Sequence, residues 1–279
     1  MEHQEHAAAY LAFATDAARR AGAILRDRFG LPHDVEYKGA VDMVTEADKA
    51  SEALIVGMIR AAYPDHDVLG EEGARGDDSD SPLRWVIDPL DGTTNFAHNL
   101  PIFCVSIGLM ERGVPLVGVV YDPMRDELFA AVRGAGATLN GQPIRASRVD
   151  RMLGALLVTG FVYDMTARAR QAHLWRVFMT RVQSIRQTGS AALNLCYVGA
   201  GRLDGFWERG LAPWDVAAGA LVLAEAGGVI TDFEGGPFTV DGGVLLAAAP
   251  GIHHEMLALI AEHGEYAPAT ADPANRQRP

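Results

Sequence analysis

Apolar and polar positions divide the first half of the chain into two helices followed by a group of strands. Helical spacing covers residues 7–29 and 45–62, and a loop or hairpin joins them at residues 35–44. Apolar runs bounded by turn residues predict strands at 83–87, 103–110, 115–122 and 127–132. The glycine-rich segment 134–141 predicts a turn region, because no strand-to-helix unit follows it as a nucleotide-binding loop requires.

Strands and helices are interleaved in the second half. The pattern predicts strands at 155–160, 184–186, 205–208, 229–232 and 243–248, with helices at 166–180, 190–200, 214–226 and 252–262. This interleaving indicates a mixed α/β fold. We expect an N-terminal α+β subdomain at residues 1–148, a C-terminal α/β subdomain at 149–264, and a disordered tail at 265–279 that is rich in Ala and Pro.

Composition narrows the class of protein. The chain has 279 residues, of which 49% are hydrophobic, and a formal net charge of −12. Such an acidic chain does not favour binding to nucleic acid or to acidic lipids, and it would need metal ions to hold a phosphorylated substrate. Cys104 and Cys196, the only cysteines, lie in apolar segments and predict buried, reduced thiols. The absence of a signal pattern and of a long apolar run predicts a cytoplasmic protein with no membrane partner.

The segment Asp88–Phe96 carries the clearest chemical signal. Asp88 and Asp91 follow an apolar strand, and Gly92 with two hydroxyl residues comes next, where a helix can start. A helix start offers unpaired N–H groups and a positive dipole end to an anion. Carboxylates beside an anion site require a bridging cation, so this segment predicts a divalent metal and a phosphate held together.

Other acidic residues admit more than one interpretation from their local pattern. The pair Glu71-Glu72 could be ligands or surface charges, and Asp215 could be a ligand or a helix cap. Thr45 and Asp48 fit a capping box, which local pattern favours over chemistry. The segment His253–Glu255 is predicted to lie at the surface, since adjacent histidines on a helix point in different directions.

Four segments together resemble the inositol monophosphatase family: Asp42–Asp48, Gly70–Gly73, Asp88–Phe96 and Trp214–Gly228. They occur in the order and spacing of that family, and the resemblance runs from about residue 8 to about residue 260. It implies a layered αβαβα sandwich of the inositol monophosphatase and fructose-1,6-bisphosphatase type, with the site between two subdomains. It also implies a homodimer, lithium sensitivity and two to three Mg²⁺ ions per site.

The resemblance implies a role for each acidic residue. The metal ligands would be Glu71, Asp88, Asp91 and Asp215, with the carbonyl oxygen of Leu90. Thr93, hydrogen-bonded to Asp48, would orient a metal-activated water and accept its proton, and Glu71 would assist catalysis through a further hydrated ion. The phosphate would bind at Gly92, Thr93 and Thr94. Lys38, in a loop near the metals, is left without an assigned role.

Substrate recognition is implied for the second half. The segment Gly189-Ser190-Ala191 would contact the hydroxyls of a small phosphorylated polyol through its backbone, together with Asp91, Glu208 and Asp215. Inositol 1-phosphate is the first choice. Histidinol phosphate and a broad range of sugar or polyol phosphates stay open, whereas bisphosphates rank lower because no second basic phosphate pocket is evident. A catalytically silent regulatory or binding protein of the same fold is the non-enzyme alternative.

Overall fold

The computed structural model describes residues 2–32, 35–37, 43–75, 81–162 and 165–264. Lys38, Asp42 and the tail 265–279 lie outside the described residues. The described residues of the first half form three helices and nine strands: α1 (Glu2–Arg28), β1 (Val35–Tyr37), β2 (Met43–Thr45), α2 (Glu46–Ala62), β3 (Asp67–Gly70), β4 (Leu83–Asp91), α3 (Thr93–Ala97), β5 (Cys104–Glu111), β6 (Val114–Asp122), β7 (Glu127–Val132), β8 (Gly136–Leu139) and β9 (Gln142–Pro143).

The second half alternates strands and helices, as its apolar pattern indicates. Its elements are β10 (Leu156–Thr159), α4 (Met165–Met179), β11 (Ser184–Arg186), α5 (Ala191–Gly199), β12 (Gly205–Arg209), α6 (Pro213–Glu225), β13 (Val229–Thr231), β14 (Val244–Ala248) and α7 (Pro250–His263). None of the described helices is both long enough and apolar enough to cross a membrane.

The strands form two main sheets and one hairpin. The larger sheet has seven described strands in the order β3-β4-β5-β6-β7-β8-β9, in which β3 and β4 pair in parallel and the other neighbours pair antiparallel. The smaller sheet has the order β11-β10-β12-β14-β13. The separate pairing of β1 with β2 confirms a hairpin in the region between the first two helices.

Helices and sheets alternate in five layers. One apolar core lies between the seven-stranded sheet and helices α1 and α2. Helices α5 and α6 contact each other and lie between the two sheets, and helices α4 and α7 cover the outer face of the smaller sheet. The αβαβα sandwich that the family resemblance implies is therefore confirmed.

Small residues allow α6 to lie directly on the seven-stranded sheet. A Cβ atom on Gly118 would lie 2.6 Å from the carbonyl oxygen of Ala218, and one on Gly108 would lie 3.0 Å from the Ala217 Cβ. A larger residue at either position would push the helix away from the strands. This close contact brings the first turn of α6, with Asp215, toward the end of β4.

The end of β4 is irregular, which the apolar pattern does not reveal. The strand continues beyond the predicted end at residue 87 as far as Asp91. Asp88 pairs with Ser106 and Asp91 with Cys104, so three steps on β4 oppose two on β5. The extra residue forms a bulge that turns successive side chains differently from a regular strand. Both carboxylates thus reach one pocket from a single strand.

Two further sequence predictions differ from the structure. The glycine-rich region 134–141 contains strand β8, since pairing with β7 outweighs the turn pattern of its glycines. His253 is buried at 8% exposure, and its Nε2 lies 3.1 Å from the Thr231 Oγ1, so the surface prediction is wrong for this residue. The face of α7 that begins at Ile252 and His253 packs on the smaller sheet.

Candidate active site

One pocket of about 800 Å³ gathers the acidic residues of both halves. Its wall includes the ends of β3 and β4, the start of α3 and the first turns of α5 and α6. Among the described residues, five carboxylates line it: Glu71, Asp88, Asp91, Glu208 and Asp215. The structure therefore brings together all four carboxylates predicted as metal ligands, of which Asp91 and Asp215 are also predicted to contact substrate, and Glu208, which is predicted to contact substrate alone.

Asp88 lies in an unfavourable electrostatic environment within this group. Its side chain is 2% exposed, and its Oδ1 accepts a hydrogen bond of 2.9 Å from the Leu90 N–H. Burial raises the pKa of Asp88 well above its ordinary value, and three neighbouring carboxylates raise it further: Glu71, Asp91 and Asp215. Buried like charges of this kind cost stability unless a cation compensates them.

The chemistry of this donor set fits a hard divalent cation. Every ligand predicted here is an oxygen, which favours Mg²⁺ over zinc. Within the residues the structure describes, no three acidic side chains have already converged into a ready metal-binding group. Several carboxylate oxygens instead accept hydrogen bonds from the chain, and Asp215 Oδ2, for instance, accepts one of 2.7 Å from the Ala212 N–H. Each such carboxylate retains lone pairs for a cation.

Asp91 is held by the first turn of α5. Its Oδ2 accepts hydrogen bonds of 2.7 Å from the Ser190 hydroxyl and 2.7 Å from the Ala192 N–H, while Oδ1 accepts one of 3.3 Å from the Ala191 N–H. Burial raises the pKa of Asp91, and these bonds oppose the shift. The resemblance assigns the backbone of the segment Gly189-Ser190-Ala191 to substrate, and one N–H of this segment, that of Ala191, bonds to Asp91 in this structure.

Thr93 and Asp48 are in hydrogen-bond contact, as predicted. The Thr93 hydroxyl lies 3.1 Å from Asp48 Oδ1 and 3.1 Å from the Leu90 carbonyl oxygen, and its single proton serves one of them at a time. Asp48 Oδ2 accepts from the Thr45 N–H and hydroxyl, so the capping box is also present. Burial raises the pKa of Asp48. One carboxylate therefore caps α2 and touches the pocket wall through Thr93.

The start of α3 lies beside these carboxylates. Gly92 has φ 107°, and a Cβ there would lie 2.9 Å from the Ile102 carbonyl oxygen, so only glycine fits the turn. Thr94 follows at an exposed position on the pocket wall. Gly92, Thr93 and Thr94 thus all line the pocket, where the predicted phosphate contacts stay predictions.

Glu208 lies on strand β12 and lines the same pocket as Asp88. Burial raises the pKa of Glu208 well above its ordinary value, the charges of Asp215 and Asp91 raise it further, and a hydrogen bond from the Gly160 backbone lowers it. A Cβ on Gly160 would lie 2.2 Å from Glu208 Oε1, so glycine is required for this approach. The carboxylate is therefore placed by the strand β12 and the segment after β10.

Two residues near the site are not identified by sequence reasoning. Glu52 on α2 is buried, and its carboxylate accepts hydrogen bonds from the Glu72 and Ala74 N–H groups, which braces the turn that carries Glu71. Arg168 on α4 lines the pocket and donates a hydrogen bond of 3.0 Å to the Val162 carbonyl. The helical pattern of α2 and α4 carries no signal for either contact, since both depend on how separate elements pack.

The free cysteines of this chain are buried, as predicted. Cys104 lies behind Asp91, with its Sγ 3.7 Å from Asp91 Oδ2 and 3.6 Å from the Ser190 Oγ. Burial raises the pKa of both cysteine thiols well above the ordinary value, and the charge of Asp91 raises it further. The two groups are therefore neutral thiols at ordinary pH.

Comparisons with known proteins agree with this geometry. The model of the inositol monophosphatase family matches residues 6–265. The chain is 45% identical to an inositol-1-monophosphatase of Synechocystis over 88% of this chain and 87% of that protein. It is 46% identical to the Nus factor SuhB of Escherichia coli K12 over 89% of this chain and 94% of that protein.

A solved structure supports the same assignment. The inositol monophosphatase of Anabaena superposes with a TM-score of 0.81 at 42% identity, over 91% of this chain and 96% of that chain. Sequence, fold and the carboxylate-lined pocket thus lead to one conclusion: the chain belongs to the inositol monophosphatase family.

Proposed function

We propose that this protein is a Mg²⁺-dependent phosphate monoester hydrolase that acts on inositol 1-phosphate. The observation that carries the proposal is the buried Asp88, surrounded by the negative charges of Glu71, Asp91 and Asp215 in one pocket. Clustered negative charges of this kind lower the stability of the folded protein, and a bound divalent cation compensates them. The family match supports phosphatase chemistry at this site.

The ligand set would come from both halves of the chain. Glu71, Asp88, Asp91 and Asp215, with the Leu90 carbonyl, would hold two to three Mg²⁺ ions. When bound, the ions would supply charge neutralisation for the phosphate and for the leaving oxygen. Hydrolysis of phosphate monoesters is extremely slow without catalysis, so stabilisation of this kind is required.

The residues at the start of α3 would position phosphate and water. The N–H groups of Gly92 and Thr93 would donate to phosphate oxygens, with the Thr94 hydroxyl beside them. The Thr93 Oγ1 would accept a proton from the attacking water and pass its own proton to Asp48 Oδ1. The raised pKa of Asp48 suits a group that takes up a proton during turnover. Attack by water needs no covalent phosphoenzyme.

The leaving group would be oriented from the opposite wall. Glu208 would accept hydrogen bonds from polyol hydroxyls, and Gly189, Ser190 and Ala191 would border the ring through their backbone. The pKa of Glu208 is raised in the isolated chain, and approach of the cations would favour its charged form. A carboxylate at this place also fits an amino group, which keeps histidinol phosphate and other sugar or polyol phosphates as alternative substrates.

A second candidate function follows from the names of relatives. A protein 46% identical to this chain is called a Nus factor, a name that does not describe a phosphatase. A regulatory or binding role is therefore proposed as the alternative, alone or beside hydrolysis. The expectation that nucleic acid plays no part stays a prediction, as do a cytoplasmic location, a homodimer and inhibition by Li⁺.

A substrate panel tests the proposal. Purified protein would be assayed for phosphate release from inositol 1-phosphate, histidinol phosphate and β-glycerophosphate, with Mg²⁺ and with excess chelator. We expect Mg²⁺-dependent release that is fastest with inositol 1-phosphate. The Asp88→Asn variant serves as the matched control for a contaminating phosphatase and should release none. Absence of release from every phosphate ester would favour the binding role.

A further inference from the structure

The pocket extends beyond the carboxylates to a second wall formed by α4 and the segment after β11. Arg168 and Ala172 of α4 and Gln187 lie on this wall, together with Phe161 and Val162. Its volume of about 800 Å³ lies in the upper part of the range typical of small-molecule sites. A single phosphate and a six-membered polyol ring leave part of such a pocket unfilled.

Arg168 differs from every other charged residue on the pocket wall. Within the lining that the structure describes, it is the one cationic side chain, while the five other charged residues are carboxylates. None of those carboxylates, nor any other described one, lies within 4.0 Å of its guanidinium in an ion pair. Arg168 is therefore a cation on the wall of this acidic pocket whose charge no described carboxylate pairs with directly.

The guanidinium is held in place with part of its donor set unused. Its Nε donates 3.0 Å to the Val162 carbonyl, and among the described residues its two terminal nitrogens make no hydrogen bond. The same segment is also fixed by the buried Gln171, whose Oε1 accepts a 2.9 Å bond from the Val162 N–H. The loop is thus braced without Arg168. A fork fixed at Nε and open at both terminal nitrogens suits a planar or tetrahedral oxyanion.

We propose that Arg168 forms a distal oxyanion subsite. The pocket would then favour phosphate monoesters whose leaving group carries a second anionic group, either a carboxylate or a second phosphate, at the end opposite the scissile ester. This inference rests on the proposed hydrolase function and narrows its substrate class. It reverses the low rank that sequence reasoning assigns to bisphosphates, because the missing basic group is present on α4.

Three open-chain ligands of one carbon skeleton test the subsite. Glucitol 6-phosphate has a neutral far end, 6-phosphogluconate has a carboxylate there, and glucitol 1,6-bisphosphate has a second phosphate. In the wild-type enzyme, kcat/KM for each anionic ligand should exceed that for glucitol 6-phosphate by about tenfold, as one charge-assisted hydrogen-bond pair allows. The Arg168→Gln variant should bring both ratios close to one.

Arg170→Gln is the matched control, since Arg170 is exposed on the same helix and does not line the pocket. It should leave both ratios at their wild-type values. The proposal is overturned if wild type shows no preference for the anionic ligands. It is also overturned if Arg168→Gln lowers kcat/KM for all three ligands equally, which would mean that Arg168 only braces the Val162 segment. The two anionic ligands distinguish a carboxylate from a phosphate as the better occupant.

Calorimetry separates failure of the subsite from failure of the hydrolase function. If none of the three ligands releases phosphate, the hydrolase proposal fails for this class. Binding of the same ligands in Mg²⁺ is then measured by titration calorimetry with wild type, Arg168→Gln and Arg170→Gln. Tighter binding of the anionic ligands that is lost only in Arg168→Gln would support the subsite, and equal binding of all three would reject it.

Discussion

The Ser190 hydroxyl donates a 2.7 Å hydrogen bond to Asp91 Oδ2 and so joins the start of α5 to the end of β4. Ser190 is also the N-cap of α5, where its oxygen accepts from the Leu193 N–H. Asp91, a candidate metal ligand of the first half, is thus positioned by the first turn of α5, which belongs to the second half. The site exists only when the two halves are packed together.

Removal of this hydroxyl should impair turnover more than folding. Ser190→Ala deletes a charge-assisted hydrogen bond to Asp91, and we expect a loss of about tenfold in kcat/KM with inositol 1-phosphate. The lost helix cap should lower the free energy of unfolding by about 1 kcal/mol. Ser190→Thr keeps the hydroxyl and is the matched control. Wild-type kinetics in Ser190→Ala would show that Asp91 is positioned without Ser190.

Glu52 should hold the turn that carries Glu71 in the position needed for Mg²⁺ binding. Glu52→Gln replaces a carboxylate that accepts two backbone N–H bonds by an amide that can accept them with only one oxygen. We expect the free energy of unfolding to fall by about 1–3 kcal/mol and the Mg²⁺ concentration for half-maximal activity to rise. Thermal unfolding and Mg²⁺ titrations measure the two effects. Asp65→Asn removes a charge at an exposed position and should alter neither quantity, and an unchanged Mg²⁺ requirement in Glu52→Gln would contradict this role.

The raised pKa of Asp88 predicts how stability depends on pH when no metal is present. The folded chain binds the Asp88 proton more tightly than the unfolded chain, whose Asp pKa is near 3.8. Stability should therefore decrease as the pH rises from about 4 toward the raised pKa, since ionisation costs more in the folded state. Bound Mg²⁺ should remove this decrease by compensating the charge.

Thermal unfolding in chelator between about pH 5 and pH 8 measures this dependence. Asp88→Asn should unfold at a higher temperature than wild type at the upper pH, with a smaller decrease across the range. It should not abolish the decrease, because the pKa of Glu208 is raised in the same way. A pH profile identical to that of wild type would mean that Asp88 is not the group under strain.

Glu208 should contribute to substrate choice. Glu208→Gln keeps the shape of the side chain and removes the charge that strengthens each contact with a polyol hydroxyl. We expect kcat/KM for inositol 1-phosphate to fall by about five- to tenfold, and that for β-glycerophosphate to fall less, because fewer hydroxyls reach the carboxylate. Equal losses would indicate that Glu208 supports the cations, and no loss would favour another phosphate ester as substrate.

The local sequence pattern predicts most of the helices and strands but only some of the residues of the site. Strands such as β4 and β7 consist mostly of apolar residues, and Asp88 with Asp91 is recognisable because both lie on one short segment. The bulge that brings them to one pocket depends on pairing with β5, so the sequence of β4 alone does not predict it. Asp48 illustrates the same limit, because a capping box and a contact to Thr93 coexist in one carboxylate.

Contacts between separate elements explain the remaining differences. His253 is buried because its face of α7 meets the smaller sheet, whereas a helical pattern with adjacent histidines does not show which of them faces inward. Arg168 reaches the pocket through the packing of α4 beside the Val162 segment, and nothing around it in sequence distinguishes it from the exposed Arg170. Residues whose function depends on tertiary packing are therefore the ones that sequence reasoning misses.

Phosphate release from inositol 1-phosphate during a Mg²⁺ titration tests whether the carboxylates around Asp88 form a Mg²⁺ site for hydrolysis. We expect no release in chelator, saturable release at millimolar Mg²⁺, and no release at any Mg²⁺ concentration with Asp88→Asn, although that variant is folded. Release by wild type in chelator, or wild-type rates with Asp88→Asn at saturating Mg²⁺, would show that these carboxylates do not form the catalytic metal site.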